Sequence, residues 1–233
     1  MRRDLVVLRT SIRVTAAGPA LLAVLAGVTA CGTIQMGSAA LVGDQGISSA
    51  TLTNQVSDLT TSYHNSKGAI QLQFPLSQAP QQVLAWLVRF RIRDAMAARN
   101  HITVTPAESQ RAQAAIAAQA RQNRATLADL AVANGLPPDL LPELGRYQAI
   151  ELALVSKLDG GRLPASQTAL SNLSRRFNAV QCHAAKSLAI RINPQFGQLD
   201  YGQLTVVPAA AKLSAPQGGT RTPSAKPQLT PPC

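Results

Sequence analysis

Aromatic and acidic residues are both scarce in this sequence of 233 residues. It has one Trp, three Tyr and four Phe, and 11 acidic residues stand against 22 basic ones, for a formal net charge of +11. Such a charge is typical of proteins that bind nucleic acid or anionic lipid head groups. It is also compatible with basic residues dispersed over a solvated surface. No run of Lys and Arg is interleaved with aromatic residues, so we expect no nucleic-acid partner. Alanine is abundant, which favours helices with close backbone packing.

Motifs for catalysis are also missing. The sequence contains neither G-x-S-x-G nor H-E-x-x-H, and it has no glycine-rich phosphate loop. The three histidines, His64, His101 and His183, are scattered and suggest no pair of base and nucleophile. Five acidic residues fall at predicted helix starts or on helix faces, where the helix dipole and solvation explain them: Glu108, Asp129, Asp139, Glu143 and Glu151. We therefore expect a protein that is not an enzyme and that uses no cofactor.

Cysteine is limited to Cys31, Cys182 and Cys233. Cys182 is followed directly by His183, and adjacent residues on a helix project about 100° apart, so the pair predicts no metal site. An oxidising compartment would permit a disulfide between Cys182 and Cys233. The sequence leaves open whether that disulfide forms.

The first 31 residues have the pattern of a secretory signal. Basic residues precede an uncharged run from Val14 to Ala30, and Val28-Thr29-Ala30-Cys31 follows with small residues before the cysteine. This segment resembles the bacterial lipobox, which implies a signal peptide over residues 1–30 and a diacylglyceryl group (with palmitate-type acyl chains) on Cys31. The expected location is the outer face of the cell membrane. The alternatives are an ordinary signal peptide or a membrane anchor with an incidental cysteine.

After a lipidated tether over residues 31–38, the patterns predict a mainly α domain with a small antiparallel β element over residues 39–207. A strand at 39–42 and its return strand precede a helix capped at Ser48 or Ser49. Further helices are predicted at about 81–99, 105–121, 126–134, 137–158 and 166–186, followed by an alternating strand at 188–192. Residues 208–233 are rich in Pro and Ala without periodicity, so we expect a disordered tail.

The helix at 81–99 has two apolar stripes. One contains Leu84, Leu87, Val88, Ile92, Ala95 and Met96, and the other contains Val83, Trp86 and Phe90, while Arg89, Arg91 and Arg93 occupy the remaining surface. Such a helix is either buried on both sides or presents one face to a partner. Trp86, Leu87 and Phe90 are the candidate peptide-binding residues.

Two segments carry a resemblance to a known family. The string N-H-I-T-V-T-P-A-E at 100–108 is similar to the "G-I-x-V-T-x-x-E" stretch of SurA and PrsA N-terminal domains, with His101 where glycine is usual. The string I-R-I-N-P-Q-F-G at 190–197 resembles their "V-N-P-R-Y/F-G" segment, with Gln195 in place of the common arginine. In order and spacing the likeness covers residues 39–201. It suggests the actinobacterial lipoproteins with a SurA-like N-terminal domain.

The resemblance implies a helical domain of the SurA type, akin to the C-terminal domain of trigger factor, in which both ends of the chain close the fold. It also implies chaperone activity in the cell envelope. Parvulin-type isomerase domains of that family need on the order of 100 residues, and no such insertion fits between Leu158 and Leu188. The first expectation is thus ATP-free binding of unfolded or secreted polypeptides. An envelope adaptor for one folded partner is the alternative, and an isomerase is disfavoured by length.

Overall fold

Six α-helices and five short strands make up most of residues 37–161 and 166–209, the part of the chain that the computed structural model describes. The helices are α1 (Ser49–Asn65), α2 (Ala79–Arg99), α3 (Pro106–Gln122), α4 (Leu127–Ala133), α5 (Leu141–Leu158) and α6 (Gln167–Ser187). The strands are β1 (Ser38–Val42), β2 (Gln45–Ser48), β3 (Arg191–Ile192), β4 (Gln198–Asp200) and β5 (Thr205–Val207). The predicted mainly α domain with a small antiparallel sheet is confirmed. No described helix is long and apolar enough to cross a membrane.

Four helices begin at residues whose side chains satisfy free backbone N–H groups. The hydroxyl oxygens of Ser48, Thr105, Thr126 and Ser166 each accept a hydrogen bond from a backbone N–H in the first helical turn. Thr105 also forms a capping box with Glu108. Hydrogen bonds from the backbone and side chain of Thr105 hold the pKa of the Glu108 carboxyl below its usual value. These caps confirm the predicted helix starts.

The start of α5 differs from the prediction. A single helix was expected to begin at Pro137–Asp139, but a short 3₁₀ turn over Pro138–Leu140 precedes α5, which begins at Leu141. Pro142 has no backbone N–H to donate to the carbonyl four residues earlier. The first regular α-helical hydrogen bonds therefore form after this proline.

Helix α2 lies at the centre of the domain. It packs against α1, α5, α6, β1 and β5. Its buried residues come from both predicted stripes and are Ala79, Val83, Leu84, Ala85, Val88, Phe90, Ile92, Arg93, Met96 and Ala97. The placement of Arg93 on the polar remainder of this helix was wrong, since only 2% of the residue is exposed.

Helices α3 and α5 approach each other closely. A Cβ atom at Gly145 on α5 would lie 2.7 Å from the Ser109 carbonyl oxygen and 3.0 Å from Gln113 Cβ on α3. Ala112 is buried at the same contact side of α3. Small residues therefore allow the two backbones to pack at short range, as the alanine-rich composition indicated.

The N-terminal hairpin is completed by a strand from the other end of the described chain. β1 pairs antiparallel with β2 and with β3, and Ala40 and Leu41 lie opposite Ile192 and Arg191. Both ends of the described chain therefore meet in one sheet, as the resemblance implies. The strand is shorter than the predicted 188–192, because Leu188 caps α6 and Ala189 has a φ of +46°, which no strand adopts.

A second hairpin, β4 with β5, was not predicted. It pairs Gln198 with Val207 and Asp200 with Thr205. Gly197, just before it, has a φ of +128°, and a Cβ atom there would collide with the Val207 carbonyl oxygen. Strands of three residues are too short for an alternating pattern to be read from the sequence. The hairpin nevertheless buries Leu204 and Val206 in the main core.

We expect Ile190→Ala to destabilise the domain by about 2–5 kcal/mol, because Ile190 is 8% exposed and anchors the segment that carries β3. Thermal and urea unfolding followed by circular dichroism measure this loss. Gln198→Ala, an exposed position in the same C-terminal segment, should change the free energy of unfolding by less than about 0.5 kcal/mol.

A chain ending at Lys186 should lose cooperative unfolding. Unchanged unfolding of that truncated chain would show that the two ends do not close the domain.

Candidate functional site

An apolar hollow of about 200 Å³ opens on one side of α2. Helices α2, α3, α4 and α5 and the loop after α4 contribute its walls, which are Trp86, Ile116, Leu127, Leu130, Ala131, Asn134, Leu136 and Leu144. Ligand pockets for drug-sized molecules occupy about 300–1,000 Å³. The hollow is smaller, and it suits one or two apolar side chains of a larger partner.

The ring of Trp86 forms a fixed wall of this hollow. Its indole Nε1 donates a hydrogen bond of 3.0 Å to the carbonyl oxygen of Asn134. The ring centroid lies 5.8 Å from that of Phe90 and 6.2 Å from that of Tyr147. Because its polar group is already satisfied, Trp86 offers a partner an apolar face with a defined orientation.

Arg89 places a positive charge beside this ring. Its guanidinium carbon lies 5.0 Å from the centroid of the Trp86 ring, within cation–π range. Its Nε donates a hydrogen bond of 2.9 Å to the Leu204 carbonyl oxygen. Burial lowers the pKa of Arg89 from its ordinary value, although Tyr147 acts in the opposite direction. The guanidinium stays charged at neutral pH.

The predicted binding residues occupy different depths. Trp86 is half-buried and lines the hollow, whereas Phe90 is 9% exposed and lies in a small core cluster with Ala131 and Leu136. Leu87 is partly buried against both the main core and this small cluster. Among the three, Trp86 is therefore the residue that a partner can touch most directly, and Phe90 supports it from below.

Sequence reasoning missed the contribution of α4. Leu130 lies on this helix, lines the hollow and is 39% exposed. The pattern of α4 showed an apolar face, but a pattern does not tell how much of that face a neighbouring helix covers. α4 has only seven residues, so it leaves part of its apolar side open.

A second cluster, which Tyr147 joins to the Trp86 ring, surrounds the buried Arg93. One of its terminal nitrogens, Nη2, contacts Glu151 Oε2 at 3.2 Å, Tyr147 Oη at 2.6 Å and Gln181 Oε1 at 3.2 Å. The guanidinium also stacks on the rings of Tyr147 and Phe177, at 4.1 and 4.9 Å from their centroids. Arg93 thus joins α2 to α5 and α6 through charge, hydrogen bonds and cation–π contacts.

The geometry of the Arg93 cluster favours a structural role. Its other terminal nitrogen, Nη1, is buried and has no hydrogen-bond partner within the described residues. The cluster holds one carboxylate and no nucleophile. Across the described part of the chain, no group of three or more His, Cys, Asp or Glu residues is placed to hold a metal ion.

The cysteines fall partly outside the described residues. The predicted lipidation site, Cys31, and the terminal Cys233 both lie there, as does nearly all of the predicted tail. Cys182 on α6 is disulfide-bonded. The next residue on this helix, His183, is exposed.

Comparison with known proteins identifies no relative: no family model, no curated protein and no solved structure matches the chain.

We expect Glu151→Ala to cost about 3 kcal/mol of stability, because it leaves the buried Arg93 cation without its carboxylate. In an Arg93→Met background the same change should cost less than about 1 kcal/mol, since no charge is then stranded. Urea unfolding of the four proteins gives the coupling between the two residues.

The exposed pair of Arg146 and Asp94, 3.0 Å apart, is the matched control for this experiment. Asp94→Ala should cost less than about 1 kcal/mol, because solvent screens both groups. Equal losses for Glu151→Ala and Asp94→Ala would contradict the account of the Arg93 cluster.

Proposed function

We propose that this protein is a chaperone that holds unfolded or partly folded exported polypeptides outside the cytoplasmic membrane, to which a lipid on Cys31 anchors it. It works without ATP, without a cofactor and without isomerase activity. The observation that carries the proposal is the half-open apolar hollow at Trp86 and Leu130. Unfolded polypeptides expose apolar side chains that folded proteins bury, and the hollow is of the size of such a side chain.

The chemistry of the hollow suits clients of many sequences. Its walls are almost entirely apolar, and the hydrogen-bonding group of Trp86 is already paired within the protein. Apolar contacts are non-directional, so they do not select one client sequence. Burying one large apolar side chain contributes about 1.5–3 kcal/mol. Micromolar binding corresponds to about −8 kcal/mol, so a client needs several such contacts along the surface.

A fold of the SurA type is part of this proposal. Pairing of β1 with β3 supports it, because both ends of the domain meet there as the resemblance implies. His101 gives independent support. It has a φ of +51°, in the left-handed region that glycine tolerates best, and it occupies the position where the family usually has glycine.

The lipid anchor fits the position of β1. Ser38, the first residue of β1, lies seven positions after Cys31, and seven steps of extended chain span about 23–25 Å. A diacylglyceryl group gives stable anchoring, whereas a single acyl chain gives only marginal binding. The tether thus keeps the domain near the membrane across which its clients emerge.

We expect Leu130→Ser to weaken the suppression of client aggregation at least several-fold, since it removes an apolar wall that a client covers. Light scattering of two unrelated unfolded proteins, with the purified domain added, measures the effect. Trp86→Ala should act in the same direction.

Leu152→Ser is the matched control, because Leu152 on α5 is 56% exposed but does not line the hollow. It should suppress aggregation as the wild type does. Equal loss in both leucine variants would contradict binding at the hollow. Strong binding of a single folded envelope protein, with no effect on unfolded clients, would instead support the adaptor alternative.

We also expect Cys31→Ala to release the protein from membranes, because the variant lacks the thiol that receives the lipid. Fractionation of cells followed by immunoblotting checks this, with Cys233→Ala as the control that stays in the membrane fraction. A Cys31→Ala protein that still sediments with membranes after high-salt washing would refute the lipid anchor.

A further inference from the structure

One side of α6 carries basic residues and no acidic ones. Arg175, Arg176 and Lys186 are exposed on this helix, which contains no Asp or Glu. Because successive residues of a helix project about 100° apart, these three side chains leave α6 within an arc of about 100° around Ala179. The buried residues of the helix project from its other side and are Leu173, Ala184 and Ala185. Helix α6 is therefore amphipathic, with a basic face formed by the three cations.

We propose that the basic face of α6, extended by Arg99 and Lys157, docks on a membrane surface that carries anionic phosphate head groups. The inference rests on the lipid anchor at Cys31 in the proposed function, because the anchor brings the domain to such a surface. It concerns a different part of the domain from the hollow at Trp86.

Two cations from neighbouring helices lie beside the C-terminal half of α6. Arg99, at the end of α2, is exposed, and its Nη1 donates a hydrogen bond to the Ser187 hydroxyl. On α5, Lys157 Nζ donates a hydrogen bond of 2.6 Å to the carbonyl oxygen of Asn100, the residue after Arg99. The ion pairs within the described part of the chain involve neither of these cations and none of the basic face. Five positive charges are thus available to an external anionic surface.

Two concavities open along the basic face and share Ala179 as a wall. Arg175 and Arg176 line the first, and Arg99 and His183 line the second, a groove of about 280 Å³ between α2 and α6. The described walls of both contain no acidic residue. A guanidinium group can donate two parallel hydrogen bonds to a phosphate. The charge and the open shape of these concavities therefore suit phospholipid head groups.

The lipid anchor and the basic face can reach the same membrane surface. The backbone N–H of Gly43, directly after β1, donates a hydrogen bond of 2.6 Å to the carbonyl oxygen of Leu188, two residues after Lys186. From Ser38 to Gly43 the strand spans at most about 17 Å, and the tether from Cys31 adds up to about 23–25 Å. The basic face is about 16 Å long. The lipid can therefore enter the membrane beside this face without a change in the fold.

Docking on the basic face leaves the candidate binding site accessible. The hollow is lined by residues of α2, α3, α4 and α5 and of the loop after α4. Among the described residues, the hollow and the two concavities of the basic face have no lining residue in common. A domain that rests on α6 therefore keeps Trp86 and Leu130 open to a client.

The lipid and the basic face have different tasks. A basic residue close to an anionic membrane strengthens binding by about five-fold, so the five cations together contribute at most roughly 3,000-fold. Salt weakens this attraction, because the screening length falls to about 3 Å at 1 M ionic strength. The basic face alone is thus weak and is released by salt. The lipid retains the protein, and the basic face orients it.

The reactivity of Lys186 tests the docking. The lipidated full-length protein is added to preformed vesicles, either of phosphatidylglycerol and phosphatidylcholine in equal amounts or of phosphatidylcholine alone, and is labelled with an amine reagent that does not cross membranes. We expect Lys186 to react at least about three-fold more slowly on the anionic vesicles at low salt, with the difference lost at about 1 M salt. Lys67, exposed just after α1, is the internal reference and should react equally on both.

A charge-matched pair of variants assigns the protection to α6. The double variant Arg175→Ala/Arg176→Ala should raise the reactivity of Lys186 on anionic vesicles to nearly its value on neutral ones. Arg111→Ala/Arg121→Ala removes the same charge from exposed positions of α3, which packs on α4 and α5, and should keep the protection. Equal loss of protection in both double variants would contradict docking through α6.

Mass spectrometry of the Cys31 peptide separates failure of this inference from failure of the proposed anchor. Equal reactivity of Lys186 on anionic and neutral vesicles, with lipid present on Cys31, would overturn the docking alone. A Cys31 without lipid would overturn the anchor and the inference that rests on it. Protection of Lys186 by added polyglutamate or single-stranded DNA but not by anionic vesicles would also overturn the membrane as the partner of this face.

Discussion

The fold depends on the burial of α2. Helices from both halves of the chain and two strands pack on this one helix, so its side chains must pack against several elements at once. Apolar side chains do so on most of its surface. Between α5 and α6, however, α2 also buries a charge. Arg93 is held there by Glu151, by polar groups of Tyr147 and Gln181, and by two aromatic rings. A buried guanidinium is unfavourable without such partners.

This arrangement also explains why the candidate site lies where it does. The main core fills the side of α2 that faces α1, the sheet and α6. The opposite side carries only the small cluster of Phe90, Ala131, Leu136 and Leu140. α4, with two turns, is too short to cover it, so the hollow between Trp86 and Leu130 stays open. The proposed binding of apolar chain segments would use this incomplete apolar cover.

Local rules predicted much of this fold from the sequence. The caps at Ser48, Thr105, Thr126 and Ser166 depend on contacts within one helical turn, and all four helix starts were predicted. A strand at 188–192 was also predicted, and the resemblance implied that both ends of the chain close the fold; an isolated two-stranded hairpin is marginal, which favours a third strand there. Such features are visible in the sequence because few residues decide them.

The remaining features depend on distant parts of the chain. Burial of Arg93 requires Glu151 and Gln181, which lie 58 and 88 positions away in the sequence. The apolar pattern of α2 alone does not predict these partners. The β4–β5 hairpin is set by three-residue strands and by the close approach at Gly197. The exposure of Leu130 depends on how α4 sits against α2 and α3. All three features depend on tertiary packing, which cannot be read from the pattern of any single segment.

Fluorescence of Trp86 tests the central claim most directly, because it is the only tryptophan in the sequence and forms a wall of the hollow. An unfolded client without tryptophan should shift its emission in a saturable way at micromolar concentration, and a second, unrelated client should compete for the same change. Suppression of aggregation without any change in Trp86 emission would contradict binding at this site.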